Sequence, residues 1–311
     1  MNKIRIFLIF GLLAIAFGCS SKQSKATSNI LESKKNDSLK AQSLLIKTEQ
    51  IGDLKLHIAI APEKAGGTVC YIIETADKLI IIDPHYLKPY STDFRKYANS
   101  LGKKIDRLIV SHEHPDHWFG LDEFKDLPIY ASQGVTDAIK KVGQQTINQR
   151  KEKLALHGPK ELVIPSNVIK DGTEIIGGVK FNFRVIKNAE ADEQVLITLP
   201  EQGIILAQDM VFNHNHQYVD LNISANWISE LQKIYNTPNI NKIHCGHAGF
   251  NNSYFATKED LKTDIEYLET LTEYIKSLKT FAEFKDKVLR KYPDYTNPDF
   301  IDMMSYLFDK K

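Results

Sequence analysis

The stretch Leu108-Ile109-Val110-Ser111-His112-Glu113-His114-Pro115-Asp116-His117 decides the fold of this chain. Its first three residues are an apolar run that predicts a buried strand. The residues from Ser111 to Asp116 end that strand in a loop. Three histidines and an aspartate then lie within six positions. Neutral imidazole and carboxylate are the usual ligands of zinc and similar ions, so this spacing favours a metal site over a loop whose histidines only cap and hydrogen-bond.

The pattern His112-x-His114-x-Asp116-His117 resembles the signature of the metallo-β-lactamase superfamily. The resemblance extends over about residues 50–250. It implies an α/β fold, namely an αββα sandwich of two mixed, hairpin-rich sheets with outer helices. A site for one or two metal ions is then expected at the edge between the two sheets.

The apolar runs and turns in the rest of the chain are compatible with such a sandwich. Val69–Glu74 and Leu79–Asp83 are β-rich runs separated by a short turn, which predicts a hairpin. Residues 195–199 and 204–207 predict a second hairpin, and the spacing of apolar residues in 91–102 predicts a helix. Strands that alternate with helices imply that helices cover the sheets.

The resemblance also assigns residues outside the loop. Asp209 follows a strand and corresponds to the carboxylate that bridges two metals. His247, in a strand that ends in Gly-His-x-Gly, corresponds to the last ligand. Asp83 corresponds to an aspartate that supports the metal loop by hydrogen bonds and does not bind metal.

One ligand position departs from the family pattern. Family members carry a Gly-His pair after the strand that corresponds to 179–186, whereas residues 187–194 contain no histidine. Counting back from the following hairpin places Glu190 in this position. Asp192 and Glu193 are its rivals if the register differs. Glutamate binds zinc and harder cations as well.

The resulting constellation contains two metal positions. His112, His114 and Glu190 serve the first, Asp116, His117 and His247 serve the second, and Asp209 lies between them. The resemblance implies a dinuclear zinc hydrolase, with iron or manganese as alternative ions. Such an enzyme uses a metal-activated hydroxide on an ester, lactone, thioester or related bond of a small molecule. Asp116 is then also a catalytic residue that orients or shuttles a proton.

Two other functions remain open from the sequence. His112, His114 and Glu190 form a two-histidine, one-carboxylate set, which suits the Fe(II) of a non-haem dioxygenase. The missing histidine is also compatible with a metal-poor binding protein whose site has degraded. The polar loop after Asp209 is expected near the mouth of the site, where His216 or Tyr218 would contact substrate; the alternative is an exposed loop without such a role.

The N-terminus and the composition predict where the protein works. Lys3 and Arg5 precede an apolar run of 13 residues that ends before Cys19, which predicts a signal peptide over 1–18. The residues Ala16-Phe17-Gly18-Cys19 resemble a bacterial lipobox, which implies lipidation of Cys19. Polar residues 19–43 predict a tether, and 44–311 the folded domain, with a helical extension from about 252. We therefore expect an exported protein of the cell envelope, lipid-anchored in a bacterial membrane and facing the periplasm or exterior. A net charge of +1 gives no reason to expect a nucleic-acid partner.

Overall fold

Two β-sheets organise the computed structural model, which describes residues 43–309. The predicted signal peptide, Cys19 and the tether up to residue 42 lie outside the described residues. No helix within the described range is long and apolar enough to cross a membrane.

The first sheet carries the segment that precedes the metal loop. In the described chain its seven strands, β1 to β7, follow one another in sequence order: Leu45–Ile51, Leu54–Ile60, Val69–Glu74, Lys78–Ile82, Lys104–Ile109, Ile129–Ala131 and Asn167–Val168. Strands β1 to β4 pair antiparallel, and β4 to β7 pair parallel. The sheet is therefore mixed, and the predicted hairpin of β3 and β4 is confirmed.

The second sheet supplies the later half of the site. It contains six strands among the described residues, in the order β13-β12-β11-β10-β9-β8: Gly172–Ile176 is β8, Val179–Lys187 is β9, Glu193–Leu199 is β10, Ile204–Gln208 is β11, Lys242–Cys245 is β12 and Phe255–Ala256 is β13. Only β11 and β12 pair parallel; the other neighbours are antiparallel.

Helices cover the outer faces of both sheets. Within residues 43–309 they are α1 (Lys88–Ser100), α2 (Gln133–Leu154), α3 (Ser224–Tyr235), α4 (Lys258–Ser277), α5 (Phe281–Lys291) and the short α6 (Asp299–Asp302). Apolar side chains of both sheets fill the space between them, and a second apolar cluster joins the second sheet to α3, α4 and α5. The expected sandwich of two mixed sheets with outer helices is thus confirmed.

Hydrogen bonds join the two sheets at one edge. The backbone N–H of Val69 donates to Gly246 O at 2.7 Å, and that of Val195 donates to Ser111 O at 2.8 Å. The buried Tyr71 hydroxyl donates to Cys245 O at 2.6 Å. Because these contacts tie the ends of β3, β5, β10 and β12 together, residues that follow these strands are held close to one another.

The C-terminal extension packs on the loop that follows β11. Asp264 of α4 is buried; its Oδ2 accepts from the Phe212 N–H at 3.0 Å, and its Oδ1 accepts from Gln217 Nε2 at 2.5 Å. Burial raises the pKa of Asp264 to about 7, although both hydrogen bonds act in the opposite direction. The protonation state of Asp264 therefore affects how stably the extension packs on this loop.

Replacing Asp264 with asparagine is expected to change how stability depends on pH. The folded chain retains this proton between about pH 4 and pH 7, where the unfolded chain releases it. The contribution to stability is therefore complete below pH 4 and is lost as pH rises through 7. Asp264→Asn lacks this loss, so its unfolding free energy relative to the parent should rise by roughly 1 kcal/mol per pH unit between pH 5 and 7.

Urea unfolding of both proteins at pH 5, 6, 7 and 8 measures this difference. The matched control is Asp286→Asn, because the Asp286 side chain is half exposed on α5. Its difference from the parent should stay constant with pH. If the difference in unfolding free energy between Asp264→Asn and the parent is also independent of pH, the proton of Asp264 does not contribute to stability.

Candidate metal centre

The ends of strands from both sheets converge on one group of metal-binding side chains. His112 follows β5, and a tight turn over Pro115–His117 completes that loop. Asp209 directly follows β11, and His247 lies two residues after β12. Glu190 lies in the turn between β9 and β10, whose last paired residues are Lys187 and Glu193.

The first cluster contains His112, His114, Glu190 and Asp209. The Nε2 atom of His112 lies 3.5 Å from Asp209 Oδ2 and 3.8 Å from Glu190 Oε2. The Nδ1 atom of His114 lies 3.2 Å from Glu190 Oε1. The structure therefore places Glu190 between the two histidines with which the sequence grouped it.

The second cluster contains Asp116, His117, Asp209 and His247. The Nε2 atoms of His117 and His247 each lie 3.2 Å from the same oxygen, Asp209 Oδ2. Asp116 Oδ2 lies 3.1 Å from His247 Nε2 and 3.6 Å from His117 Nε2. Asp209 is common to both clusters, as expected for a residue that lies between two metals.

In each buried histidine of these clusters, the ring nitrogen that points away from the other ligands makes a hydrogen bond. Nδ1 of His117 contacts Asp83 Oδ2 at 2.8 Å, and Nδ1 of His247 contacts Gly66 O at 2.7 Å. Nδ1 of His112 contacts Ser111 Oγ at 2.9 Å, while that hydroxyl donates to Asp83. Because carbonyl and carboxylate oxygens only accept, and the serine proton is already used, all three rings in their neutral form carry their proton on Nδ1. Their Nε2 lone pairs are then free for a metal.

The spacing of the inward atoms fits metal ions. Four ligands at about 2.0–2.2 Å from zinc in a tetrahedron lie roughly 3.3–3.6 Å from one another. The seven contacts above range from 3.1 to 3.8 Å, and all ligand atoms of each cluster lie within 4.8 Å. Several inward atoms are buried without a hydrogen-bond partner in the described chain: His112 Nε2, His117 Nε2, Glu190 Oε2 and Asp209 Oδ1. Two cations would satisfy them.

The electrostatics of the site also favour cations. Burial alone would lower the pKa of His247, but Asp209 and Asp116 raise it to about 10. Burial likewise opposes the effect of Glu190, which raises the pKa of His114 to about 10. The pKa of Asp209 is held well below its usual value, against burial, by His117 and His247. Asp209 therefore stays ionised, and the histidines around it hold protons that bound cations would replace.

The structure separates Glu190 from its two rivals. Asp192 is exposed, and its backbone N–H donates to Glu113 Oε1 at 2.8 Å. Glu193 Oε2 accepts from Ser132 Oγ at 2.7 Å and from the Gly134 N–H at 2.9 Å, at the start of α2. Neither carboxylate belongs to the two metal-binding clusters.

The structure corrects the expected position of the loop after Asp209. His216 is 1% exposed, and its Nδ1 contacts the Tyr267 hydroxyl of α4 at 2.8 Å. Tyr218 packs on the same C-terminal apolar cluster, and its hydroxyl lies 2.5 Å from that of Tyr306. Both side chains therefore face the C-terminal extension, because its aromatic residues cover the loop, and His216 does not lie at the mouth of the site.

Two aromatic residues beside the site were not found from the sequence. The Phe212 ring stacks on His247 with centroids 5.7 Å apart, and the Phe300 ring meets His247 edge-on at 5.8 Å. Phe212 lies three residues after Asp209, so its position could have suggested a role. Phe300 lies 53 residues after His247, and no local pattern indicates this contact.

Comparison with known families agrees with this geometry. A family model described as the metallo-beta-lactamase superfamily matches residues 64–267. The alkyl/aryl-sulfatase BDS1 of Saccharomyces cerevisiae is 24% identical over 180 residues, which cover 47% of this chain and 28% of the relative. An octanoyltransferase of Porphyromonas gingivalis is 36% identical over 85 residues, or 25% of this chain and 16% of the relative. The chain thus spans less than a third of either relative.

Solved structures show the same fold at low sequence identity. The metallo-β-lactamase FIM-1 from Pseudomonas aeruginosa, in its mono-zinc form, gives a TM-score of 0.55 at 14% identity and covers 74% of this chain and 97% of its own. A metallo-β-lactamase from Pontibacter korlensis gives 0.55 at 15% identity, covering 72% and 99%. These similarities support the architecture and do not address the substrate.

Removing the charge of Asp83 is expected to weaken metal binding. In Asp83→Asn the ring of His117 loses a carboxylate that fixes its orientation and tautomer. Loss of such a partner typically lowers metal affinity 10- to 100-fold. Competition with a chromogenic chelator measures the affinity for zinc. Asp93→Asn, on the exposed face of α1, is the control and should match the parent. Equal zinc affinities for all three proteins would refute this role of Asp83.

Proposed function

Because this chain belongs to the metallo-β-lactamase superfamily, a family of metal-dependent hydrolases, we propose that it is a dinuclear zinc hydrolase of an ester, lactone or thioester. One observation carries this proposal: two complete ligand clusters share Asp209. A site for a single ion would not need the second set of side chains. The oriented Nε2 atoms of His112, His117 and His247 support it further.

The side chains of the two clusters have different roles in the proposed hydrolysis. Two bound cations supply a hydroxide nucleophile near neutral pH and positive charge for the leaving oxygen. His112, His114 and Glu190 would hold one cation, Asp116, His117 and His247 would hold the other, and Asp209 would contribute to both sets. Asp116 lies beside His247, and its side chain is 26% exposed. It is therefore the carboxylate best placed to accept a proton from the nucleophile and to pass it towards solvent.

Sulfate esters are a second candidate substrate class. The yeast alkyl/aryl-sulfatase supports them, because its similarity covers 47% of this chain. The octanoyltransferase matches a much shorter segment and gives no comparable support. A hydrolysis screen should therefore include aryl sulfates beside esters, lactones, thioesters and β-lactams.

A non-haem iron enzyme is the alternative reaction class. The set His112, His114 and Glu190 would suit Fe(II). The second cluster favours the hydrolase, because an oxygenase with one iron leaves Asp116, His117 and His247 without a role. Metal content separates the two functions.

We expect the purified chain to contain two zinc ions and Glu190→Ala to contain one. Removal of Glu190 takes a carboxylate from the first cluster only, so the second metal should remain. The value of kcat/KM for the best ester should fall by about tenfold to a hundredfold. Elemental analysis and a steady-state assay measure both effects.

Asp192→Ala is the matched control for this experiment. Its carboxylate is exposed and lies two residues from Glu190, outside both clusters. It should keep two zinc ions and full activity. One iron in the parent would establish the alternative, and absence of bound metal under metal-replete conditions would support a degraded site.

The exported lipoprotein form is a further proposal, supported by the N-terminal sequence alone. Lipidation at Cys19 predicts that the full chain, expressed in a bacterium with lipoprotein processing, sediments with membranes. Cys19→Ser should move it to the soluble fraction of the envelope, since the acyl chains that anchor it are missing. Equal membrane association of both proteins would contradict lipidation at this residue.

A further inference from the structure

One face of α2 packs directly on the continuation of the metal loop. A Cβ atom added to Gly143 would lie 3.4 Å from the ring of Trp118, the residue that follows His117. Ile147 is buried one turn further along, and Arg150 follows after nearly another turn. Because residues three, four and seven positions apart share a helix face, Arg150 is directed towards the same segment.

The Arg150 side chain is held by two aromatic residues next to the site. Its Nη1 donates to the Tyr86 hydroxyl at 2.9 Å, and its guanidinium carbon lies 5.8 Å from the ring centres of both Tyr86 and Phe119. The two rings are 5.4 Å apart. Tyr86 lies three residues after Asp83, and Phe119 lies two residues after His117. This group therefore stands beside the half of the site that contains Asp116.

The charges of Arg150 and Asp116 both act on the Tyr86 hydroxyl. Burial raises the pKa of Tyr86, the guanidinium of Arg150 opposes that effect, and the negative charge of Asp116 adds to it. Arg150 thus contacts Phe119, which lies in the continuation of the loop that carries the partly exposed Asp116.

Arg150 differs from every other arginine in residues 43–309 in its lack of a carboxylate partner. The other four each lie 2.7–2.9 Å from a carboxylate oxygen: Arg95 with Asp126, Arg107 with Asp106 and Glu174, Arg184 with Glu230, and Arg290 with Asp286. Arg150 is only partly exposed, and just one of its five N–H donors has a hydrogen-bond partner in the described chain. The two aromatic faces compensate part of its charge. The remaining donors are suited to an external anion.

We propose that Arg150, positioned by Tyr86, recognises an oxyanion group of the substrate that is separate from the bond being cleaved. The group is a carboxylate or a tetrahedral oxyanion on a small molecule, because the planar guanidinium binds either through paired N–H donors. This inference rests on the proposed hydrolase function and further specifies that the substrate is negatively charged.

Three acetate esters test the proposal with the same cleaved bond. They are the acetates of 4-hydroxybenzoate, 4-hydroxybenzenesulfonate and 4-hydroxybenzamide, of which only the last is neutral. We expect the zinc-loaded parent to prefer one or both anionic esters. In Arg150→Met the ratio of kcat/KM between anionic and neutral esters should fall roughly tenfold or more, mainly through KM. Arg150→Lys should restore part of the ratio, and Tyr86→Phe should lower it by a smaller factor.

The control variant is Arg95→Met, which removes a partly exposed arginine paired with Asp126 on α1. It should leave the preference unchanged. Metal content of every variant is measured in parallel, because loss of zinc would affect all three esters alike. An equal change for the anionic and neutral esters in Arg150→Met would overturn the proposal and leave Arg150 as a packing residue.

Calorimetric titration with the three phenols gives a readout that does not depend on turnover. The parent should bind 4-hydroxybenzoate or 4-hydroxybenzenesulfonate more tightly than 4-hydroxybenzamide, and Arg150→Met should lose most of this difference. If no ester is hydrolysed while the binding difference persists and depends on Arg150, the proposed hydrolase function fails and the anion site stands. If binding shows no dependence on Arg150, the anion site fails.

Discussion

The buried carboxylate of Asp83 receives hydrogen bonds from three residues, two in the loop after β5 and one at the end of β11, and thereby holds the two sheets in register at the metal centre. Its oxygens accept from the Ser111 N–H and hydroxyl, from His117 and from Gln208 Nε2, all at 2.6–2.8 Å. Asp83 and Gln208 both adopt positive φ, at 58° and 46°. Such conformations cost on the order of 1–3 kcal/mol each, and hydrogen bonds to a charged group offset a comparable amount.

This constraint explains why the metal centre belongs to the interface and not to one loop. Asp83 ends a strand of the first sheet, whereas Gln208 ends a strand of the second and directly precedes Asp209. The second sheet also packs closely on Asp209 from its neighbouring strand, since a Cβ atom on Gly246, directly after β12, would lie 1.9 Å from Asp209 Oδ1. A small displacement of either sheet would therefore move Asp209 relative to His112 and His117, and with it both ligand clusters.

Local sequence patterns were sufficient for much of this arrangement. Apolar runs located β3, β4, β5 and β11, and ligand-type residues at their ends then met at one edge. Glu190 could be placed because the hairpin of β9 and β10 is short, so counting from either strand reaches the same turn. A polar loop predicts solvent exposure for His216, whereas aromatic residues of the extension bury it. Phe300 reaches His247, and Arg150 reaches Tyr86 and Phe119, through tertiary packing that no local periodicity indicates.

The surroundings of the metals depend on parts of the chain that the common fold does not specify. The family match ends at residue 267, but Phe300 lies beyond it and packs on His247. Asp264 holds the backbone of Phe212, which stacks on the same histidine. Phe212 and Phe300 thus place two apolar rings beside His247, while Arg150 and Tyr86 pack on Phe119 in the continuation of the loop that carries Asp116. The proposed substrate, with an apolar part and a separate oxyanion, would match these two features, which belong to the particular residues of this chain, because the shared fold alone does not determine function.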